Sequence, residues 1–573
     1  MKWLIFLVVF LPLYTLGQTD VFELNQKLGR GMNMGNMFEA PTEGEWGNPF
    51  RNDYFQQIKE LGFDHVRIPI RWDTPARTQM TPPYTINPVF FARIKEVVDL
   101  AIEQDLLVII NMHHHDALFQ NPAQNRERFL AQWIQIAEFF KDYPEVLLFE
   151  VMNEPHNQLT PELWNQYFAE ALVEIRKTNP NRAVMMGTAL FGGVAGIFQL
   201  DPPEDDNIIV TVHFYNPFTF THQGAEWVGD QSQNWLGTEW LDLQFEREAI
   251  EQEIAPLISF SSERNIPINM GEFGAYSRAD MESRVRWTTF VARYLESIGF
   301  SWAYWEWSAG FGIFNPQNNQ YIQPLVDALL HNEMPEPREA HLVTIYESNF
   351  ENSNDSWNIF TQQNGQAGLS RSQGILQAAV SRLGTENWHV QLVRSNLSLE
   401  NGKMYRFSFE AKSEPNISLV SYIGKASSPF NSYSGFQTTR LTDEYLEYST
   451  VFKMSDPSDP NARIVFDMGI ELGNTFFRKV KVQELDLVIL SVREENPVKP
   501  KIYPNPVNDL LTIDLLNPGA QIELYNTMGQ KIDSFLINGN HQKVEMGQLP
   551  SGVYILRIKS SNQVWEHFRV VKD

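Results

Sequence analysis

The sequence predicts a multidomain protein in which a (β/α)8 TIM barrel is followed by two all-β sandwich domains. The chain has 573 residues, more than the roughly 250–300 residues that one hydrophobic core organises. Its 43% hydrophobic and 20% charged residues are typical of folded globular proteins. Eight alternations of short apolar runs with amphipathic stretches extend over about 310 residues, the number and length that such a barrel requires.

Two polar segments that contain proline divide the mature chain. They are "HNEMPEPREAHL" at His331–Leu342 and "SVREENPVKPK" at Ser491–Lys501, and both are typical of joints between domains. We therefore predict a barrel over 19–335, a β-sandwich over 340–490, a linker over 491–501 and a small C-terminal domain over 502–573.

The first residues, "MKWLIFLVVFLPLYTLGQTD", predict a signal peptide over 1–17, because one lysine precedes an apolar run that small and polar residues end. The run is shorter than the ~20 residues of a membrane-spanning helix, and no later segment is apolar for long enough, so we expect no transmembrane segment in the mature chain. The sequence contains no cysteine. An exported chain of this kind has no disulfides, and its domains must be stable through packing alone.

The formal net charge of −25 argues against a nucleic-acid partner, which such a surface would repel. Neutral polymers are not excluded as partners. Aromatic residues make up 13% of the chain, with 15 tryptophans. This content suits stacking on sugar rings, and it equally suits an ordinary large core.

Each predicted barrel strand is a short apolar run. Helix-like segments such as Asn87–Asp105 and Pro161–Lys177 lie between most of them, with apolar residues three and four positions apart. A doubly wound open sheet is the alternative, but it would require a Gly-rich phosphate loop after an early strand, and the sequence has none. The eight strands are predicted to begin near Gly29, His65, Leu106, Leu147, Ala183, Ile208, Ile268 and Ser301.

Residues capable of chemistry follow the same end of nearly every predicted strand. Barrel enzymes assemble their active sites from the C-terminal ends of several strands, whereas residues without a shared role would be scattered over both ends. Seven of the eight strands fit this arrangement, so we predict one shared cleft. The residues are Asn36, Arg67, His113, His114, Asn153, Glu154, His213, Tyr215, Glu272, Trp305 and Glu306.

Glu154 and Glu272 form the most informative pair among them. Hydrolysis of a glycosidic bond requires one acid to protonate the leaving oxygen and one carboxylate to meet the anomeric carbon. Phosphoryl transfer would require a clamp of cations, and Arg67 is the one cation at the strand ends. Acyl transfer would require an activated Ser or Cys, and the sequence has neither a Cys nor a G-x-S-x-G motif.

The motifs at these strand ends resemble glycoside hydrolase family 5, most closely its bacterial endo-β-1,4-glucanases, some of which also cut mannan or glucomannan. The resemblance runs in order from about Gly29 to Leu330, through "GRGMNMGNMFEAPTEGEWG", "HVRIPIRW", "INMHHH", "MNEPH", "HFYNPFTFTHQGAEW", "GEFGAYSRADMESR" and "SWAYWEWSAGFG". It implies that Glu154 is the general acid/base and Glu272 the nucleophile of a retaining reaction. We expect burial and the charge of Glu272 to raise the pKa of Glu154.

The resemblance also implies supporting roles. Arg67 is expected behind Glu272, keeping it ionised, while Tyr215 bonds the nucleophile, His213 bonds the acid/base, and Asn153 contacts the sugar 2-hydroxyl. Trp305 is expected to form a floor on which one sugar ring stacks, with a core position as its alternative. The residues expected to bind substrate are Asn36, Glu39, His113, His114, His222, Trp227, Trp305 and Glu306.

The run of histidines at His113–His115, with Asp116 and His156 nearby, can also be interpreted as a metal site. Adjacent strand residues point to opposite faces, so three consecutive histidines cannot all reach one ion. No H-E-x-x-H motif occurs, and the family resemblance implies neither a metal nor a cofactor.

The two domains that follow the barrel also resemble known families, the middle domain more weakly than the C-terminal one. Over 340–490, alternating strands and segments such as "ESNFENSNDSWNIF" are similar to jelly-roll carbohydrate-binding modules, although a β-sandwich spacer is an alternative. Trp388, Tyr422 and Tyr433 are possible stacking residues there. "IYPNPVNDLLTI" and "LPSGVYILRIKSSNQVWEHFRVVK" resemble the C-terminal sorting domain of the type IX secretion system, and a third binding module is the alternative.

Together these features predict a secreted or surface-attached retaining endo-β-1,4-glucanase whose partners are a β-1,4-linked polysaccharide and the secretion machinery. A β-mannanase or glucomannanase on the same scaffold is the nearest alternative. Glucans and mannans share the β-1,4 linkage, and their sugars differ at the 2-hydroxyl. A carbohydrate-binding surface protein whose barrel has lost catalysis is a third hypothesis. The presence of Glu154 and Glu272 with Arg67, His213 and Tyr215 argues against it.

Overall fold

The computed structural model describes residues 20–351, 355–487, 501–514, 521–526, 530–536, 541–559 and 565–573. The predicted signal peptide over 1–17 lies outside the described residues, as does the predicted linker over 491–501 except for Lys501. The chain divides at residue 488 into two compact units. The first unit holds the barrel and the middle β-domain.

Eight parallel strands close into a barrel, as the sequence predicts. Each strand pairs with the next along the chain, and the first pairs with the eighth through Arg30 and Trp302. The strands are β1 (Arg30–Asn33), β2 (His65–Ile68), β3 (Leu107–Asn111), β4 (Leu147–Glu150), β5 (Val184–Gly187), β6 (Ile208–Phe214), β7 (Ile268–Phe273) and β8 (Ser301–Tyr304). A two-stranded hairpin follows, formed by β9 (Phe314–Asn315) and β10 (Gln320–Tyr321).

Helices cover the barrel, and local capping explains where several begin. The side chains of Asn87, Thr160 and Asp280 each accept a hydrogen bond from the first turn of the helix that follows. The helices are α1 (Val21–Leu28), α2 (Tyr54–Leu61), α3 (Pro88–Ile102), α4 (Asp116–Gln120), α5 (Pro122–Phe139), α6 (Pro161–Arg176), α7 (Phe218–Thr221), α8 (Gln244–Arg264), α9 (Met281–Ser297) and α10 (Gln323–Leu330). Short 3-10 segments lie at Val194–Gln199, Glu226–Val228, Asp230–Trp235 and Asn387–His389.

Within the described ranges, no helix combines the length and the apolar character needed to cross a bilayer.

Many of the aromatic residues pack in the core of the barrel. Seven of the tryptophans are fully buried in the barrel, so they serve packing and not sugar stacking: Trp72, Trp133, Trp164, Trp240, Trp287, Trp302 and Trp307.

The middle domain consists of two antiparallel sheets around their own apolar core. One sheet has the order β13-β14-β21-β16-β19 with β11 also paired to β21, and the other has the order β12-β15-β20-β17-β18. The strands are β11 (Ala340–Ser348), β12 (Trp357–Thr361), β13 (Gln366–Ser372), β14 (Ile375–Arg382), β15 (Val390–Leu399), β16 (Met404–Glu414), β17 (Ser418–Gly424), β18 (Gln437–Arg440), β19 (Leu446–Lys453), β20 (Asp459–Asp467) and β21 (Gly473–Leu487).

The middle domain packs directly on the barrel. Leu241 and Leu243, which precede α8, are buried with Leu485 of β21, and the guanidinium of Arg406 lies 4.1 Å from the ring centroid of Phe245. Apolar packing of this kind resists the independent motion that is usual between domains joined by a polar contact.

The second unit is also all-β. Its two sheets have the orders β22-β23-β26 and β25-β24-β27-β28, and Leu511, Ile522 and Leu556 are among the residues of its core. The strands are β22 (Lys501–Tyr503), β23 (Leu510–Asp514), β24 (Gln521–Asn526), β25 (Lys531–Leu536), β26 (His541–Glu545), β27 (Gly552–Lys559) and β28 (Trp565–Lys572).

Candidate active site

The two predicted acidic residues meet at the C-terminal end of the barrel. Glu154 follows β4 and Glu272 lies in β7. One oxygen of each carboxylate and one nitrogen of His213 all lie within 4.8 Å of one another. The Glu154 side chain is 29% exposed and that of Glu272 only 6%. Glu154 is therefore the more accessible acid, and Glu272 forms the floor beside it.

Three predicted supporting residues contact this pair directly. Arg67 Nη1 donates to Glu272 Oε1 at 2.7 Å, and the Tyr215 hydroxyl donates to Glu272 Oε2 at 2.9 Å. His213 Nδ1 lies 2.7 Å from Glu154 Oε1 and 3.6 Å from Glu272 Oε2. Each contact is the one that the sequence analysis expected for that residue.

Arg67 is the centre of a buried network that the sequence analysis captured only in part. Its side chain is fully buried, and besides Glu272 it donates to Asn33 Oδ1 at 2.9 Å and to Asn153 Oδ1 at 2.6 Å. Its strongest partner is Glu150, which accepts from Nε at 2.5 Å and from Nη2 at 2.7 Å. This forked geometry is the one that satisfies a buried guanidinium best.

Glu150 is a member of this network that the sequence analysis did not single out. It is the last residue of β4 and is fully buried. A signal for it was present, since a carboxylate within the apolar run "LLFEVMNEP" must find a cation when buried. Arg67 was the one cation at the predicted strand ends, so the two could have been paired.

Asn153 is held by the same arginine. Because its Oδ1 accepts from Arg67, the amide orientation is fixed and the two N–H donors of Nδ2 remain for another partner. This orientation suits the predicted contact with a sugar hydroxyl.

The protonation of the pair differs from the sequence expectation. The pKa of Glu154 was expected to be raised, and burial does act in that direction, but the hydrogen bond and positive charge of His213 lower it below its ordinary value. Burial disfavours charge on His213, yet the carboxylates of Glu272 and Glu154 raise the pKa of its imidazole. His213 Nδ1 lies 2.7 Å from Glu154 Oε1, so a proton can pass directly between the two groups.

Burial raises the pKa of Glu272 more than the charges of His213 and Arg67 lower it. Arg67 favours the ionised carboxylate, as the sequence predicts, but burial and the charge of Glu154 outweigh it. Attack on the sugar requires the ionised form of Glu272, so we predict that its protonation sets the acid limb of the activity profile.

We expect Tyr215→Phe to move the acid limb of the kcat/KM profile to higher pH by about 1 unit. The hydroxyl donates to the ionised form of Glu272, and its removal disfavours that form, which raises the pKa; a bond to a charged group is worth about 1.5–3 kcal/mol, and 1.36 kcal/mol corresponds to one unit. Tyr143→Phe, which removes a 2.5 Å bond to Asp99 outside the cleft, is the control. An unshifted acid limb in Tyr215→Phe would contradict the assignment of that limb to Glu272.

One group of predicted binding residues lies around His113. The His113 and Trp305 rings are stacked, with centroids 5.6 Å apart and planes 10° apart, and His114 packs edge-on against His113 at 4.8 Å. Trp305 is half-buried and is not among the fully buried tryptophans, which favours the predicted sugar platform over a core position. Trp46, which the sequence analysis did not assign, is 46% exposed and lies 6.0 Å from His114.

A second group lies beyond Tyr215. His222 is buried against Tyr215, with ring centroids 4.9 Å apart, and Trp227 lies 6.1 Å from His222. Trp227 is 61% exposed. The structure therefore brings both predicted residues to the same cleft, His222 at its wall and Trp227 at its rim.

Glu39 and Glu306 occupy different positions from the other predicted binding residues. Both side chains are buried and their carboxylates accept hydrogen bonds from backbone N–H groups of their own loops, those of Asn36 and Met37 for Glu39 and those of Ser308, Ala309 and Phe311 for Glu306. Burial raises the pKa of Glu39 to about 8 and that of Glu306 to about 7. In the structure they brace the loops that carry Asn36 and Trp305. Direct sugar contacts of Glu39, Glu306 and the half-buried Asn36 stay predictions.

The three consecutive histidines diverge. His115 is buried, and its Nδ1 accepts a hydrogen bond from the N–H of Leu118. The same Nδ1 atom lies 3.1 Å from Asp73 Oδ2. His113 and His114, in contrast, line the cleft. Among the described residues, the donor atoms close enough to share a cation are those of Glu154, His213 and Glu272. The hydrogen bond between His213 and Glu154 and the 3.6 Å approach of His213 to Glu272 already account for that closeness.

Three sequence-family models match the chain. Cellulase (glycosyl hydrolase family 5) matches residues 27–310, a carbohydrate binding domain matches 343–475, and a secretion system C-terminal sorting domain matches 501–572. These matches agree with the three resemblances found in the sequence.

Individual relatives match about half of the chain. Endoglucanase H of Acetivibrio thermocellus is 37% identical over 54% of this chain, and Endoglucanase A of Clostridium longisporum is 30% identical over 55%. The chain spans 34% of the length of the first and 67% of the second. Thermotoga maritima Cel5A, solved with cellobiose, is 47% identical with a TM-score of 0.53, covering 54% of this chain and 100% of its own. The same protein has been solved with mannotriose.

Proposed function

The chain belongs to glycosyl hydrolase family 5, and from that premise we propose that it is a retaining endo-β-1,4-glucanase. The single observation that carries the proposal is that one carboxylate oxygen of Glu154 and one of Glu272 lie within 4.8 Å of each other. Retaining enzymes hold their carboxyl groups ~5–5.5 Å apart, while inverting enzymes leave ~6.5–9.5 Å for a water molecule. The observed spacing supports direct attack on the sugar.

In the first step Glu272 attacks the anomeric carbon, the bond to the leaving oxygen breaks, and Glu154 protonates that oxygen. His213, 2.7 Å away, supplies the proton to Glu154 as the substrate displaces water from the cleft. In the second step Glu154 takes a proton from water, the resulting hydroxide attacks the same carbon, and Glu272 leaves as a carboxylate. Two inversions give net retention.

Asn153 and Trp305 position the sugar in this scheme. The Asn153 amide is oriented by Arg67, so it can donate to the 2-hydroxyl next to the reacting carbon, a bond that strengthens in the transition state. The half-buried Trp305 offers a flat apolar face to a sugar ring.

A β-mannanase or glucomannanase is the second candidate. It is favoured by the similarity to Thermotoga maritima Cel5A, whose solved complexes include both cellobiose and mannotriose. Glucose and mannose differ at the 2-hydroxyl, so discrimination falls on the contact proposed for Asn153.

A panel of polysaccharides tests the proposal: carboxymethyl-cellulose, barley β-glucan, glucomannan, mannan and xylan. We expect rapid loss of viscosity with slow release of reducing ends on the glucans, as internal cleavage requires, and a β-configured product at the first NMR time point. Faster turnover of mannan than of both glucans would favour the second candidate. An α-configured first product would contradict the retaining reaction.

We expect Trp305→Ala to raise KM for a soluble cello-oligosaccharide about tenfold, because the sugar loses its stacking surface. Trp305→Phe, which keeps a smaller aromatic face, should recover most of the affinity. Equal KM values for wild type and Trp305→Ala would remove Trp305 from the binding site.

For the remaining domains we propose carbohydrate binding by the middle domain and export directed by the C-terminal domain. The family matches at 343–475 and 501–572 support these roles. The protein would then be released outside the cell or attached to its surface, where polysaccharide is found. The secretion machinery would be its partner on that route.

A further inference from the structure

A large groove lies between the barrel and the middle domain. Its volume is about 1210 Å³, above the ~300–1,000 Å³ typical of sites for small ligands, so it can accommodate a chain and not only a single sugar. The outer face of the sheet that contains β15, β17 and β20 forms its floor, with Gln391, Tyr422 and Asp467. Trp388, one of the three possible stacking residues of the sequence analysis, lines it and is 43% exposed.

The other two aromatic candidates of the sequence analysis have different positions. Tyr422 is buried in the floor, where Gln391 Nε2 lies 3.4 Å from its hydroxyl. Tyr433 does not line the groove and instead donates to Asp459 Oδ2 at 2.8 Å while packing on the core. Trp388 is therefore the one of the three with an aromatic face available in the groove.

The barrel supplies one wall of this groove. The loop between β6 and α8 lines it with Asn216, Phe218, Gln231 and Trp235, among others. The two sides are in contact: Gln437 Nε2 lies 3.3 Å from Thr219 Oγ1, and a Cβ atom added to Gly435 would lie 3.7 Å from the Trp235 ring. The wall is thus continuous with the floor.

The lining fits a neutral chain that offers apolar faces and hydroxyl groups in alternation. Five aromatic side chains in it are between 40% and 53% exposed, an unusual concentration for a surface without a partner: Phe218, Phe360, Trp388, Phe430 and Phe436. Six amide side chains also line it, and its charged groups are one arginine and one aspartate. A nucleic acid or an acidic peptide would require a cluster of cations.

The same loop connects the groove to the catalytic pair. The Phe218 ring stacks on His222, with centroids 4.0 Å apart and planes 18° apart. His222 packs against Tyr215, whose hydroxyl donates to Glu272. The groove is therefore separated from the contacts of the proposed nucleophile by one pair of stacked rings.

We propose that the barrel and the middle domain together bind one β-1,4-glucan chain, with Phe218 on the barrel side and Trp388 on the sandwich side as stacking surfaces outside the catalytic cleft. This inference rests on the proposed function for the identity of the chain. It goes beyond a carbohydrate-binding domain that acts alone, because the barrel loop that carries His222 and Trp227 also forms part of the second site. The buried leucines between the domains hold the two walls in register.

Binding to hydroxyethyl cellulose, measured by affinity electrophoresis with the full chain, tests the inference. All variants carry Glu272→Gln, so that the probe is not consumed. We expect Phe218→Ala and Trp388→Ala each to weaken binding about tenfold. Phe198→Ala, which removes a barrel phenylalanine that is 69% exposed and does not line the groove, should stay within about twofold of the parent.

Loss of binding in Trp388→Ala with none in Phe218→Ala would overturn the shared groove and leave a site on the sandwich alone. Unchanged binding in both would overturn it as well. Should thermal unfolding show that Phe218→Ala is not folded, Gln231→Ala removes an exposed amide from the same wall, and we expect about threefold weaker binding.

Hydrolysis of p-nitrophenyl β-cellobioside by the otherwise wild-type chain separates this inference from the proposed function. Failure of that hydrolysis would overturn the function, whatever the groove binds. In the active chain, we expect Phe218→Ala and Trp388→Ala to raise KM for hydroxyethyl cellulose about tenfold more than KM for the short substrate. Equal effects on both substrates would place these residues in the catalytic cleft and contradict the inference.

Discussion

Replacement of Glu272 by glycine should abolish hydrolysis and allow azide to take its place. With 2,4-dinitrophenyl β-cellobioside, azide would occupy the space of the lost carboxylate, attack the anomeric carbon and expel the phenolate. The product is then the α-glycosyl azide. We expect turnover without azide to fall at least about a thousandfold, since the reaction loses its covalent step.

Glu154→Gly provides the matched experiment. Its glycosyl-enzyme still forms from a substrate whose leaving group needs no acid, so azide attacks the intermediate and gives the β-glycosyl azide. Opposite product configurations from the two variants assign both roles independently of rates. An α-azide from Glu154→Gly would reverse the assignment of nucleophile and acid/base. Near wild-type turnover by Glu272→Gly would contradict the role of Glu272 as the nucleophile. Glu282→Gly, at an 89% exposed side chain, controls for the loss of a glutamate.

Arg67→Met should lower the free energy of unfolding by about 3–5 kcal/mol, because it leaves the buried carboxylates of Glu150 and Glu272 without their cation. Chemical denaturation measures this change. Arg51→Met breaks an exposed ion pair with Asp53, and there we expect less than about 1 kcal/mol.

The double variant Arg67→Met with Glu150→Met separates stability from activity. It replaces the forked ion pair with two apolar side chains, so we expect most of the lost stability to return. Activity should not return, since Glu272 and Asn153 still lack the N–H groups of Arg67 that position them. A double variant as unstable as Arg67→Met would show that Glu150 is not the residue whose charge Arg67 chiefly balances.

The barrel could be predicted from the sequence because two patterns agree along the chain. Apolar runs alternate with amphipathic stretches, and polar residues follow the same end of nearly every strand. Each predicted strand is found near its predicted start, and the residues at the C-terminal ends of β2, β4, β6 and β7 meet at one cleft. These positions follow from topology alone, since closing a barrel brings the same end of every strand together.

Properties that depend on three-dimensional neighbours were not predictable in the same way. The pKa of Glu154 is lowered chiefly by a histidine 59 positions away, and sequence cannot give the strength of that contact. Glu39 and Glu306 are braced by backbone N–H groups, whose directions depend on loop conformation. No linear pattern shows that Trp388 of the middle domain and Phe218 of the barrel line the same groove.

The forked bond between Arg67 and Glu150 has a consequence for the covalent intermediate of the proposed reaction. When Glu272 becomes an ester it ceases to be an anion, and an arginine with no other counter-ion would be stranded in a medium of low polarity. Glu150 keeps that arginine neutralised throughout. As the departing sugar removes a proton from the Glu154–His213 pair, the negative charge passes from one catalytic carboxylate to the other. The net charge of the buried site therefore stays constant while the glycosidic bond is replaced by the ester bond to Glu272.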